Sequence, residues 1–132
     1  MPTFGQSSAE RLKTCHHSLR TIFERVVQDF DCSIITGHRN KIEQNAKVAE
    51  GLSQVKWPNG RHNTWPSNAV DVQCYPIDWK DRERQTYFAG QVMATARSMG
   101  IRLRWGGDWD GDTEVKDNNF DDLCHFELIE EG

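Results

Sequence analysis

No run of apolar residues in this chain is long enough to cross a membrane, so a spanning helix is excluded. Nor is there an excess of basic charge: 16 Lys and Arg face 20 Asp and Glu, a net −4. A general nucleic-acid binder needs a basic face to neutralise phosphates, so that class is disfavoured. The arginines Arg97, Arg102 and Arg104 read as an ordinary solvated face. No two of the four cysteines, Cys15, Cys32, Cys74 and Cys124, form a C-x-x-C pair, which argues against a zinc knuckle or a thioredoxin-type site. The segment Met1 to Ser8 lacks a basic stretch followed by an apolar one, so no signal peptide is visible. The chain is therefore expected to be made in a cytoplasm and to stay there until something releases it, with free thiols rather than disulfides. Internal repeats, low-complexity tracts and linkers are also missing, and 132 residues suit one domain spanning 1–132. With 36% hydrophobic residues, that length can bury a modest core of its own.

Tryptophan is plentiful by contrast. Trp57, Trp79 and Trp105 read as packing residues, whereas Trp65 and Trp109 lie beside polar, turn-rich segments and could wall a cleft.

Apolar steps of three and four residues predict a helix over 7–30, opened by a Ser7–Glu10 capping box and flanked by His16 and His17. Cys32 to Gly37 reads as a strand. Asn40 is placed to cap a helix over 41–51 that Gly51 closes. Residues 52–67 read as a long loop, a length that is often functional. Asn68 to Cys74 alternates as a strand does, with Asp71 on the opposite face from Val70 and Val72. A helix over 80–99, with Tyr87, Phe88, Val92, Ala96 and Met99 buried, ends at Gly100. Strands follow at 101–105 and 125–129, separated by an acidic, turn-rich loop. The expected fold is α+β: about three helices packed on a small, mostly antiparallel sheet.

Asp71 stands in an otherwise apolar strand, and His125 stands between Cys124 and Phe126. Buried polar groups of this kind need partners, and a cation is one way to supply them. His62, Asp71 and His125 form a set that zinc accepts, with a fourth position left for water. Asp122, three residues before His125, would lie near that water without being a ligand. The residues alone equally admit an arginine partner for Asp71 and a backbone carbonyl partner for His125. If His125 faces a site, strand alternation turns Cys124 towards the core.

In order along the chain, Gly37-His38-Arg39, His62 with Ala69-Val70-Asp71, Trp105-Gly106-Gly107-Asp108-Trp109 and Asp122-Leu123-Cys124-His125 resemble the motifs of one zinc peptidase family. It is the D-Ala-D-Ala carboxypeptidase and dipeptidase family, with its hedgehog-like fold, and the resemblance is nearest to the phage L-alanyl-D-glutamate endopeptidase branch. The resemblance implies a Zn2+ ion on His62, Asp71 and His125. It implies Asp122 as the proton carrier and Arg39 as the partner of the oxyanion, although a salt bridge is the alternative for Arg39. Asp108 would orient a ligand histidine or cap its own loop, and Glu127 shares the face of His125. The implied substrate is the stem peptide of peptidoglycan, cut by a monomeric, endolysin-type hydrolase between L-Ala and D-Glu. A D-Ala-D-Ala carboxypeptidase or dipeptidase on the same fold, and a non-catalytic binding protein, are the alternatives. Arg61-His62-Asn63 also suggests a nuclease, against which the acidic charge weighs. The His62–Asp71 interval is two residues longer than the family spacing, and Trp65-Pro66-Ser67 replaces its glycine turn. His38 is the rival ligand if that insertion displaces His62. An ion on the acidic loop from Asp108 to Asp117 is a further open question.

Overall fold

In the computed structural model, which describes residues 2–115 and 121–129, Leu19, Ile22, Phe23, Val26 and Val27 line the buried side of α2 (His17–Asp29). Before it comes a separate helix, α1 (Gln6–Leu12). The apolar pattern runs on through the junction, but Ser67 competes for the backbone there. Ser67 N donates to Thr14 O and His16 N donates to Ser67 O, each at 2.8 Å. Groups committed to that bridge cannot continue a helix. His16 caps α2 instead, its Nδ1 accepting from Ser18 N at 3.0 Å. The expected Ser7–Glu10 box does not form: α1 starts after Gly5 with no side-chain cap, and Ser8 Oγ accepts from Ile34 N.

Next come β1 (Cys32–Thr36), α3 (Lys41–Ala49), a 3-10 turn (Arg61–Asn63), β2 (Ala69–Cys74), α4 (Arg82–Ser98), β3 (Leu103–Gly106) and β4 (Asp122–Leu128). Asn40 caps α3 through a reciprocal box with Glu43. The strands are antiparallel in the order β1-β2-β4-β3. This is the expected α+β architecture, with four helices because the first one divides.

One face of the sheet carries Val70, Val72 and Phe126 into the core. Phe23 of α2 and Phe88 of α4 meet Phe126 at ring-centroid distances of 5.4 and 6.3 Å. The buried stripe of α4 is Gln85, Phe88, Ala89, Val92 and Ala96. Tyr87 falls beside that stripe and is 66% exposed, and Met99, at the C-cap, is 36% exposed, so neither is the core residue expected. All four cysteines are free thiols, as expected, and all four are buried. Among the described residues no helix is long and apolar enough to cross a membrane.

The opposite face carries Ala69, Asp71, His125 and Glu127, brought together by the twofold alternation of paired strands. Pairing of β2 with β4 runs from Ala69↔Glu127 to Asp71↔His125, and there the strands part. Gln85 fills the fork. Its amide nitrogen donates to Val72 O at 2.9 Å and Leu123 O at 3.0 Å, while its Oε1 accepts from Cys74 N at 3.0 Å. On the other side of β4, Trp105 pairs with Phe126 but Gly106 pairs with Asp122, so β4 bulges over the intervening residues.

Candidate metal centre

His62, Asp71 and His125 converge. Each offers one ligand atom, and the three atoms lie within 4.8 Å of one another. All three residues are buried. Asp71 and His125 are opposed across the β2–β4 ladder, and His62 comes from the 3-10 turn laid over it. Despite the two-residue-longer interval to Asp71, His62 stands in the cluster, with residues 64–68 joining its turn to β2. His38 is turned away: its ring packs edge-on against Trp65 at 5.1 Å, and it is not part of the cluster.

The hydrogen bonds decide which imidazole nitrogens face inward. His62 Nδ1 lies 2.8 Å from Gly37 O. A carbonyl only accepts, so this nitrogen carries a proton and Nε2 faces Asp71 Oδ1 at 3.2 Å. His125 Nε2 lies 2.9 Å from Glu127 Oε1, and its Nδ1 faces Asp71 Oδ1 at 3.1 Å. Each ring is therefore anchored by its outer nitrogen and presents the inner one to the same carboxylate oxygen. This is the arrangement in which second-sphere acceptors fix metal-ligating histidines. Two imidazole nitrogens and a carboxylate oxygen suit a divalent ion of the zinc type.

Burial alone would raise the pKa of Asp71, but the charge of His62 and hydrogen bonds from His125 and His62 outweigh it and hold the carboxyl well below its ordinary range. For His125, burial works downward. The hydrogen bonds to Asp71 and Glu127, with the negative charges nearby, overcome it and raise the ring to about 9. In the metal-free protein a proton thus occupies the inner edge of His125.

Asp122 stands at the start of β4, with a carboxylate oxygen within 4.8 Å of ligand atoms of Asp71 and Cys124. Its pKa is raised, first by burial and then by the charge of Asp71. Cys124 does not join the clustered core as alternation suggested. Because β4 bulges, its thiol points at Asp122, with Sγ 3.2 Å from Oδ1.

Arg39 is buried beside the cluster, with one terminal nitrogen 3.6 Å from Asp71 Oδ2 and the other donating to Gln44 Oε1 at 3.1 Å. Its Nε has no hydrogen-bond partner among the described residues. The salt-bridge alternative for Arg39 is thus realised, yet the side chain also lines the cleft.

That cleft, about 400 Å³, is bounded by Arg39, His62, Trp109, Asp122, His125 and Glu127. Trp109 walls it as expected, its ring 5.5 Å from that of His125. Trp65 does not line it and is largely exposed. Asp108 orients neither ligand histidine: its Oδ2 accepts from Thr113 N at 3.0 Å, capping its own loop. The carboxylates of Asp110 and Asp112 likewise cap backbone N–H groups of that loop, and its far end at Asp117 lies outside the described residues.

Two residues of the site had no sequence reading as supports of Arg39. Gln44 and Asn63 hold Arg39: Gln44 Oε1 accepts from Arg39 and from Asn63 Nδ2, which also donates to Arg39 O. The signal for Gln44 is that α3 buries no apolar residue. Ile42 is 81% exposed, and Gln44 is the buried position.

A family model described as phage L-alanyl-D-glutamate peptidase matches residues 2–129. The L-alanyl-D-glutamate peptidase of Escherichia phage T5 is 30% identical over 136 residues, covering 96% of this chain and 97% of the relative. The crystal structure of the Serratia marcescens L-Ala D-Glu endopeptidase ChiX superposes with a TM-score of 0.76 at 26% identity, covering 96% of this chain and 90% of that one.

Proposed function

The chain belongs to the phage L-alanyl-D-glutamate peptidase family, and from that premise we propose that it hydrolyses the L-Ala–D-Glu bond of the peptidoglycan stem peptide with one zinc ion. His62 Nε2, Asp71 Oδ1 and His125 Nδ1 would hold the ion. The convergence of these three atoms, with both outer ring nitrogens tied to acceptors, carries the reading. Zinc bound there supplies Lewis acidity, which lowers the pKa of water and polarises a carbonyl.

The remaining work falls to side chains of the cleft. Asp122, its basicity raised by burial, accepts a proton from the attacking water and hands it to the departing amine of D-Glu. Arg39, whose side chain lines the cleft beside Asp71, meets the negative charge that develops on the scissile carbonyl oxygen. Gln44 and Asn63 keep the guanidinium in place meanwhile. Trp109 covers the His125 side of the cleft and limits access of bulk water. The whole of 1–132 is proposed to act as one monomeric peptidase domain of the endolysin type.

Mass spectrometry of products from purified peptidoglycan, with and without zinc, tests this. Cleavage between L-Ala and D-Glu is expected, with about one zinc per chain and loss of both metal and activity on chelation. Activity undiminished after complete removal of metal would defeat the reading. Release of free D-Ala would assign the carboxypeptidase chemistry instead.

A further inference from the structure

We propose that Glu127 is a positioning residue that sets the metal affinity of the site by holding His125 directly and His62 through Arg61. The inference rests on the reading of His62, Asp71 and His125 as the metal set.

Glu127 lies two rungs along the sheet from the Asp71–His125 pair, opposite Ala69 and therefore on the same face. It is 7% exposed, an unusual place for a carboxylate unless partners surround it. It has three. Oε1 accepts from His125 Nε2 at 2.9 Å. Oε2 lies 3.3 Å from Arg61 Nε and 3.6 Å from Arg104 Nη1. Each contact comes from a different element: β4 itself, the 3-10 turn and β3.

Two consequences follow. A carboxylate at the outer edge of His125 keeps the proton on Nε2 and leaves the Nδ1 lone pair for an ion, and its charge makes that lone pair a stronger donor. Arg61 precedes His62 in the same short turn. The Arg61–Glu127 pair therefore ties the turn carrying one ligand to the strand carrying the other. The two imidazoles stand with ring centroids 5.1 Å apart, and Glu127 is the side chain that touches both supports.

The test is a zinc titration in competition with a chelator, on the parent, Glu127→Ala, Glu127→Gln and Arg104→Ala. Visible spectra of the cobalt-loaded forms and circular dichroism of the metal-free forms accompany it. Glu127→Ala is expected to weaken zinc about 10- to 100-fold and to shift the cobalt bands. Glu127→Gln keeps an acceptor oxygen but not the charge, and should fall between parent and Glu127→Ala. Arg104→Ala leaves the His125 contact intact and should bind nearly as the parent does. Parent affinity and parent cobalt bands in Glu127→Ala overturn the proposal. If that variant does not fold, the same result in folded Glu127→Gln overturns it. A parent protein that takes up no zinc defeats the metal reading itself. A parent that binds while Glu127→Ala binds equally well defeats only the role of Glu127.

Discussion

His125 faces Asp71 directly across the β2–β4 ladder, with its Nδ1 3.1 Å from Asp71 Oδ1. The pair is a product of strand register. Moving β4 by one residue would turn His125 to the helix-covered face and bring Phe126 over Asp71. The same register places Phe126 against Phe23 and Phe88. Core packing and site assembly are therefore one constraint, and the aromatic cluster holds Asp71 and His125 opposite each other.

The charge state of His125 gives the first prediction. Its folded pKa, about 9, lies above the ordinary 6.5. In the metal-free protein the protonated ring thus adds stability that is fully present below pH 6.5 and is lost as pH rises through about 9. Asp71 works the other way: its depressed pKa gives stability present above the ordinary carboxylate range and lost on acidification. A metal at Nδ1 must displace the His125 proton. Zinc affinity should therefore climb steadily from pH 6.5 to about 9, while the melting temperature of metal-free protein declines over that interval. Competition titrations and thermal melts at matched pH values measure both, and a flat affinity profile would contradict the assignment of Nδ1 as the donor.

Replacing Asp122 by Asn should separate binding from chemistry. Asp122 is not among the three converging ligand atoms, but it lies beside them with its carboxyl raised by burial. The amide cannot take up the water's proton. Turnover should fall by about 10²–10⁴-fold, with zinc content and melting temperature close to those of the parent. Loss of zinc along with activity would instead make Asp122 a ligand.

How much of this could be read from the residue string differs from one side chain to the next. Asp71 announced itself, because a carboxylate among β-branched residues has few ways to be satisfied. Helix α3 and its Asn40 cap were equally plain, since capping is a local interaction within a few residues. The break between α1 and α2 was not legible: Ser67, far along the chain, captures the backbone at Thr14 and His16. Glu127 was visible as a neighbour on the face of His125, but its weight was not. Its importance comes from holding both His125 and Arg61, and only the folded sheet brings Arg61 to it. Cys124 misled for a related reason, as alternation holds for a regular strand and β4 bulges where Cys124 lies.

Gly106 carries a prediction about close approach. A Cβ added there would collide with the backbone carbonyl of Asp122 and crowd its side chain. The neighbour is backbone on a paired strand, so it must shift rather than rotate away. Gly106→Ala should displace Asp122 and lower kcat markedly, yet leave zinc bound, because Asp71, His62 and His125 are held by other contacts. Zinc analysis beside kinetics checks this, and unchanged kcat would show that β4 can yield without moving the carboxylate.

The fork between β2 and β4 gives the last prediction. Where the strands part, Cys74 N, Val72 O and Leu123 O all find their partner in the Gln85 amide, which is buried. Leucine has a similar volume and satisfies none of them. Leaving such groups buried and unpaired costs about 1–3 kcal/mol each, so losing the partners of Cys74 N and Val72 O should make Gln85→Leu less stable by at least about 2 kcal/mol. Leu123 O also accepts from Trp105 Nε1 at 2.7 Å, so that group keeps one partner and the loss stays below the full sum. Denaturant unfolding measures the change. Stability equal to the parent would mean that the strands close over the gap and form the missing ladder bonds. In that case Asp122 would be drawn away from Asp71, and activity would fall even though stability held.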